Sequence, residues 1–250
     1  MRNDCWVQNP GRIRQMSEYR YHGEIKSVLK CVENARDLGG YPLTDGGVTA
    51  SGRVIRCEVP LNPTAADLEY LRSGGFDTVI DLRDERTAEK LPHGLKNREG
   101  FKYYSCPVDA GSKPAEIVEE VPLTYMEITR DPAFHRAWKI FAHADGGVIY
   151  NCTAGRDRTG TFSMILLTAA GVTPDAVMED YTVTKEYNRI RFERIRVERP
   201  YINLDAVCPR TWYAEEFLRL FREAYGPAEE YFRSIGLNED EITKIRTKLR

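Results

Sequence analysis

The chain has 250 residues, 42% hydrophobic and 30% charged, a balance that suits a globular protein with a sizeable core. Its 36 Lys and Arg against 38 Asp and Glu leave a net charge of −2. That argues against nucleic acid as a partner and confines any acidic ligand to a local basic pocket.

Six cysteines are scattered without pairing or metal spacing, and four histidines show no ligand spacing. Such usage fits a reducing compartment, and neither a metal nor a cofactor is called for. No apolar run reaches membrane length and the N-terminus does not open a signal peptide, so no integral membrane segment is expected. A cytoplasmic location is the expectation; export by a dedicated secretion system would leave no mark of this kind. With no linker, repeat or low-complexity stretch, residues 1–250 read as a single domain.

Residues 1–20 are polar and irregular, a tail or a strap. Ile25 to Val32 is the first strand candidate. Asn34-Ala35-Arg36-Asp37-Leu38-Gly39-Gly40-Tyr41 follows, its paired glycines marking a turn. Thr44-Asp45-Gly46-Gly47 is a hairpin turn and Val54 to Cys57 a strand. Thr64 caps a helix over Ala65 to Arg72 that Gly74 and Gly75 stop. Thr78 to Arg83 is a buried strand ending in charge. Arg83 is a weak candidate for substrate contact, because ligands bind at the carboxyl ends of strands in open α/β sheets. Asp84, Glu85 and Arg86 read mainly as a solvated helix start. Phe101 to Val108 is another strand, with Asp109 just past its end. Two helices follow, one carrying Leu123, Tyr125, Met126 and Ile128, the other spanning about Pro132 to His143.

The stretch that organises the chain is 147–170. Val148, Ile149 and Tyr150 read as a short buried strand. A tight loop of Cys152, Thr153, Ala154, Gly155 and Arg156 comes next. Beyond Asp157 and Arg158, Phe162 to Ala170 reads as a helix apolar on most of its surface, hence central, and Gly171 ends it. Backbone N–H groups at that helix start, aided by its dipole, make an anion cradle. The Arg158 guanidinium offers a flat fork that matches two phosphate oxygens. A Cys152 thiol among such dipoles ionises below its ordinary value and faces phosphorus as a nucleophile. The alternative is that Cys152 is a small buried hydrophobe and Arg158 a surface charge.

Further on, Thr173-Pro174 opens a helix with Val177 and Tyr181 inward. From 187 to 210, Arg189, Arg191, Arg194, Arg196 and Arg199 alternate with Ile190, Phe192, Ile195 and Val197. Trp212 to Tyr225 is an amphipathic helix broken at Gly226-Pro227, and Asn238 with Glu241 makes a capping pair for the last helix. The order implies an α/β fold: a central, mainly parallel sheet flanked by helices, with a helical C-terminal part and the strand–loop–helix at its middle.

The loop Cys-Thr-Ala-Gly-Arg-Asp-Arg-Thr-Gly from Cys152 resembles the bacterial and fungal branch of the cysteine-dependent protein tyrosine phosphatases, whose loop reads HCxAGKDRTG. The string from Asn34 resembles the NxRDLGG signature of the same branch, and Asp81-Leu82-Arg83 after a strand fits it too. Two positions depart: Asn151 stands for the family His, and Arg156 for its usual Lys. The resemblance implies a phosphatase-like fold and hydrolysis of a phosphate monoester through a phosphocysteine. Cys152 would be the nucleophile, Arg158 and residues 153–157 the phosphate site, and Thr159 the partner of the sulfur. The general acid is Asp157 by the branch, with Asp109, where other branches carry theirs, as runner-up.

Arg36 or Asp37 would buttress the loop or its mouth, unless they only form a turn with a salt bridge. The 187–210 segment is either a lid or substrate-facing surface, or a solvated helix. Substrates would be phosphorylated proteins, and Arg156, a second cation at the mouth, adds phosphoinositides. Two rivals remain: a rhodanese-like sulfurtransferase, and a phosphate-binding module weakened by Asn151.

Overall fold

The computed structural model describes residues 27–250, so the tail or strap expected over 1–20 lies outside the described residues. Five strands form one sheet: β1 (Ala35–Asp37), β2 (Val54–Glu58), β3 (Phe76–Asp81), β4 (Lys102–Ser105) and β5 (Gly147–Cys152), in the order β1-β2-β5-β3-β4. Only β1 runs antiparallel, paired with β2; the other pairs are parallel. The sheet is therefore mixed but mainly parallel, as the alternation of elements implied.

The register brings the strand ends to one edge. Glu58 pairs with Cys152 and Asp81 with Asn151. Side chains just past these ends meet in one crevice, the place where parallel sheets present their loops.

Helices cover both faces. On one side lies α1 (Ala65–Ser73), whose Leu71 joins Leu95 against Ile55, Val79 and Ile149, while the short α2 (Glu85–Lys90) buries no residue. On the other lie α3 (Glu120–Arg130), α4 (Pro132–Ala142), α5 (Asp157–Ala169) and α6 (Pro174–Tyr187). The helical end adds α7 (Arg189–Glu198), α8 (Leu204–Val207), α9 (Thr211–Tyr225), α10 (Ala228–Ser234) and α11 (Glu239–Thr247). From Arg158 to Ala169 every residue of α5 except Thr168 is buried, as expected of a helix apolar all round. Trp138 stacks on its Phe162 with centroids 3.7 Å apart and planes 10° from parallel. Thr64 and Asp67 close a capping box on α1, and Asn238 and Glu241 another on α11.

The first strand differs from the sequence expectation. The described part of Ile25 to Val32 forms bends and a turn, and β1 falls inside the Asn34 string instead. The reason is local: the Asp67 carboxylate accepts from the N–H of Lys30 at 2.5 Å and of Cys31 at 3.2 Å. That ties the segment to the start of α1 and takes its donors from any sheet. The 101–108 strand is also shorter, ending at Ser105 before Pro107.

Candidate active site

Cys152 is the last residue of β5, and Asp157 is the first of α5, so residues 153–156 form the loop between them. Its carbonyls are pulled outward. The Asn34 side-chain amide donates to Ala154 O at 2.8 Å and to Gly155 O at 3.2 Å. Asn188 donates to Ala154 O at 3.1 Å, and Arg56 to Gly155 O at 2.7 Å. A peptide plane carries its N–H opposite its C=O, so carbonyls held outside turn N–H groups into the loop. None of the N–H groups from Thr153 to Arg158 donates to a backbone carbonyl among the described residues. Gly155 makes this possible. Its φ is +63°, and a Cβ there would stand 2.6 Å from the N of Glu58.

Cys152 is 3% exposed, at the floor of the loop. Burial alone would push its thiol up, but the Arg158 charge and the Thr159 hydroxyl and N–H outweigh it, and the pKa lies below the ordinary thiol value. The Thr159 hydroxyl is buried with no other partner.

Arg158 Nη1 is occupied: it donates to Val108 O at 3.0 Å and Leu82 O at 3.3 Å, and reaches the Asp84 carboxylate at 3.4 Å. Its opposite edge is not. Nε is buried without a partner, and Nη2 has only a 3.5 Å contact with Thr153 Oγ1. One edge of the guanidinium is thus held by protein while the other offers two parallel N–H groups to a ligand.

Behind the loop lies a buried cluster. Asp180 binds Arg36 Nε at 2.9 Å, Arg56 Nη1, and the Tyr41 hydroxyl at 2.5 Å. Arg36 also donates to Asn34 Oδ1 at 2.6 Å. Arg36 thus reaches the loop through Asn34, and Arg56 reaches it directly. Asp37 instead accepts from the N–H of Gly39 at 2.7 Å and of Gly52 at 2.6 Å, closing a turn. Arg83 does not face the mouth either: it clasps Asp81 and donates to Leu91 O at 2.7 Å. Its own strand supplied a carboxylate two residues back, and the guanidinium folded onto it.

Arg156 is not a spare cation. It binds Asp157 through Nε and Nη2, at 2.8 and 2.5 Å, and Val207 O through Nη1. Asp157 also accepts from the Tyr125 hydroxyl at 2.9 Å, whose pKa burial and this carboxylate hold well above the ordinary value. Asp109 follows Val108 on an exposed loop, its N–H bound to Asp131 at 3.1 Å.

Several site residues escape a reading of the sequence. Asp84 caps α2, the helix start expected there, but it is buried and touches Arg158, which brings it to the site. Asn34, Asp180 and Asn188 hold the loop from distant segments. His93 contacts Asn151, and nothing in its surroundings along the chain points there.

The mainly parallel sheet thus ends, at its central strand, in a cysteine of lowered pKa beneath a loop of inward N–H groups and a guanidinium with one unclaimed edge, an arrangement suited to holding an anion. The family model described as the tyrosine phosphatase family matches residues 27–250, and the chain belongs to that family. It is a phosphatase enzyme. A Cupriavidus necator protein named as a tyrosine-protein phosphatase is 29% identical over 232 residues, 84% of each chain. The tyrosine-protein phosphatase of Nostoc commune is 26% identical over 207 residues, 74% of this chain and 70% of its own. Among solved structures, the chain is similar to Pseudomonas aeruginosa TpbA in complex with pTyr over 75% of this chain and 88% of that one, at 14% identity and a TM-score of 0.37.

Proposed function

We propose that the protein hydrolyses phosphotyrosine on proteins in two steps through a phosphocysteine. In the first, Cys152 thiolate attacks phosphorus in line, the S–P bond forms and the P–O bond to the aryl oxygen breaks. A general acid protonates that oxygen as it leaves. In the second, water attacks phosphorus and the S–P bond breaks, returning thiolate and inorganic phosphate. The observation that carries this reading is the unclaimed Nε–Nη2 edge of Arg158 above a thiol of lowered pKa. Arg158 and the N–H groups of residues 153–158 would hold the three equatorial oxygens as charge spreads over them. Thr159 would hydrogen-bond the sulfur as it departs in the second step.

Asp157 is our choice for the acid: it stands at the loop end, held in place by Arg156 and Tyr125. Asp109 is the rival. A phosphotyrosine reaches a sulfur that is 3% exposed better than a phosphoserine does, because its phosphate stands at the end of a ring. The engagement of Arg156 removes the extra cation on which phosphoinositide turnover would rest.

The test is turnover of p-nitrophenyl phosphate and of a phosphotyrosyl peptide. Both should vanish in Cys152→Ser with the fold intact by circular dichroism; retained turnover would end the reading. Asp157→Asn should lose the acid-assisted limb of the pH–rate profile, and loss confined to Asp109→Asn would reassign the acid.

A further inference from the structure

The segment 189–201 carries a face that nothing in the described fold covers. α7 turns Phe192 and Ile195 toward Ile202, Leu204 and Val207, which is its packed side. On the outer side Ile190 is 54% exposed and Val197 78%, seven residues apart on one helix face with Arg194 between them, and Tyr201 just beyond the helix is 83% exposed. Scattered exposed apolar residues are ordinary, but three along one short ridge are a patch.

The arginines around the ridge divide in two. Arg191 pairs with Glu58, and Arg196 with Glu193 at 3.2 Å. The side chains of Arg189, Arg194 and Arg199 have no hydrogen-bond or ion-pair partner among the described residues. Between 188 and 201 there are five arginines against two glutamates, in a chain whose net charge is −2. Positive charge is thus concentrated in the segment that also exposes aliphatic surface.

We propose that this face docks on an anionic membrane surface. Ile190, Val197 and Tyr201 enter the headgroup layer, and Arg189, Arg194 and Arg199 meet lipid phosphates. An acidic peptide would satisfy the arginines but leave the ridge in water. An uncharged apolar partner would cover the ridge but strand the arginines. An anionic bilayer takes both.

The face is tied to the mouth of the site. Asn188, the residue before α7, donates to Ala154 O at 3.1 Å, and Arg191 binds Glu58, the register partner of Cys152. Docking would therefore hold the phosphate loop at the membrane, within reach of phosphate esters carried there. That consequence rests on the phosphatase reading; the docking itself does not.

The experiment is co-sedimentation of the full chain with vesicles of pure phosphatidylcholine and of phosphatidylcholine with phosphatidylserine. The protein should bind only the anionic vesicles, less tightly as salt rises. Removing an arginine should cost about fivefold in the partition coefficient, so Arg189→Gln/Arg194→Gln/Arg199→Gln should bind on the order of a hundredfold more weakly. Val197→Ser/Tyr201→Ser should also bind more weakly. Both variants, and Cys152→Ser in the vesicle assay, separate docking from chemistry: the first two keep p-nitrophenyl phosphate turnover, and the third keeps binding. Equal binding to both vesicle types, or unchanged binding of either multiple variant, would overturn the proposal. So would a parent protein that never sediments while the arginine variant loses turnover of an acid-flanked phosphotyrosyl peptide, which would assign the face to protein substrates.

Discussion

His93 Nε2 stands 3.1 Å from Asn151 Oδ1, so an imidazole contacts the residue that precedes Cys152 although that residue is not a histidine. The tautomer follows from the neighbours. The Leu95 N–H donates to Nδ1 at 3.0 Å, which leaves the proton on Nε2 to donate to Asn151. The Asn151 amide then donates to Asp81 Oδ1 at 3.0 Å and to Cys152 O at 3.4 Å. Asp81 is held in turn by Arg83 and by the Tyr103 hydroxyl at 2.8 Å. The asparagine is thus oriented from both sides.

His93 should make stability depend on pH. Burial outweighs the nearby Asp81 charge and lowers its pKa to about 4 from an ordinary 6.5. Between those values the unfolded chain binds a proton that the folded chain refuses. The contribution is therefore fully present above 6.5 and is lost as pH falls toward 4. From near pH 7 to about pH 5 this one group should remove about 2 kcal/mol of unfolding free energy. His93→Gln, which keeps a side-chain N–H for Asn151 but does not titrate, should show a flatter dependence in denaturant titrations. Parallel curves for the two proteins would mean that the imidazole is not held neutral.

That network marks where the sequence stops being readable. Strand, loop and central helix at 147–169 are legible because their periodicity and small residues are local. The capped helices at Thr64 and Asn238 are legible for the same reason. His93 lies 58 residues from Asn151, and only the pairing of β3 with β5 brings its loop there. Asp84 looks like one charge among several until the fold sets Arg158 against it. β1 was hidden because three residues carry no period, and the competing apolar run before it is tied down by Asp67.

Cys152 should react as a thiolate below the pH of an ordinary thiol. Its pKa is lowered by Arg158 and Thr159 against burial. The iodoacetamide rate should accordingly rise through an inflection below about 8.5, and fall away only under that inflection. Arg158→Gln removes the largest lowering influence and should move the inflection upward. An inflection at or above the free-thiol value in the parent protein would show that burial wins.

Gly155 should tolerate no side chain. Alanine would bear the cost of a left-handed backbone, roughly 1–3 kcal/mol, and its Cβ would meet Glu58 N at 2.6 Å and Cys57 C at 2.7 Å. Both neighbours are backbone of β2, a strand between two others, and neither can yield. The loop must shift instead, which spoils the aim of its N–H groups. Gly155→Ala should therefore lose phosphate or vanadate inhibition together with turnover, while its far-ultraviolet circular dichroism stays near that of the parent. Normal inhibition by vanadate would show that the cradle survives the change.

Asp180 should matter more for folding than any residue that touches substrate. Its carboxylate is the shared partner of two guanidiniums, Arg36 and Arg56, both fully buried, and it also binds the Tyr41 hydroxyl. Those two arginines are what hold Asn34 and Gly155 O in place. Asp180→Asn leaves two buried cations without their counter-charge, a loss of about 3–5 kcal/mol for a pair broken on one side. For a chain of this size that lowers the melting temperature by roughly 10 °C. Asp180→Leu should be no milder, since it removes the acceptor oxygens as well. At a temperature where Asp180→Asn remains folded, its KM for p-nitrophenyl phosphate should still rise, because the carbonyls of 154 and 155 lose their outer tether. A melting temperature within a degree or two of the parent would mean that Arg36 and Arg56 find other partners and that the loop is held by something else.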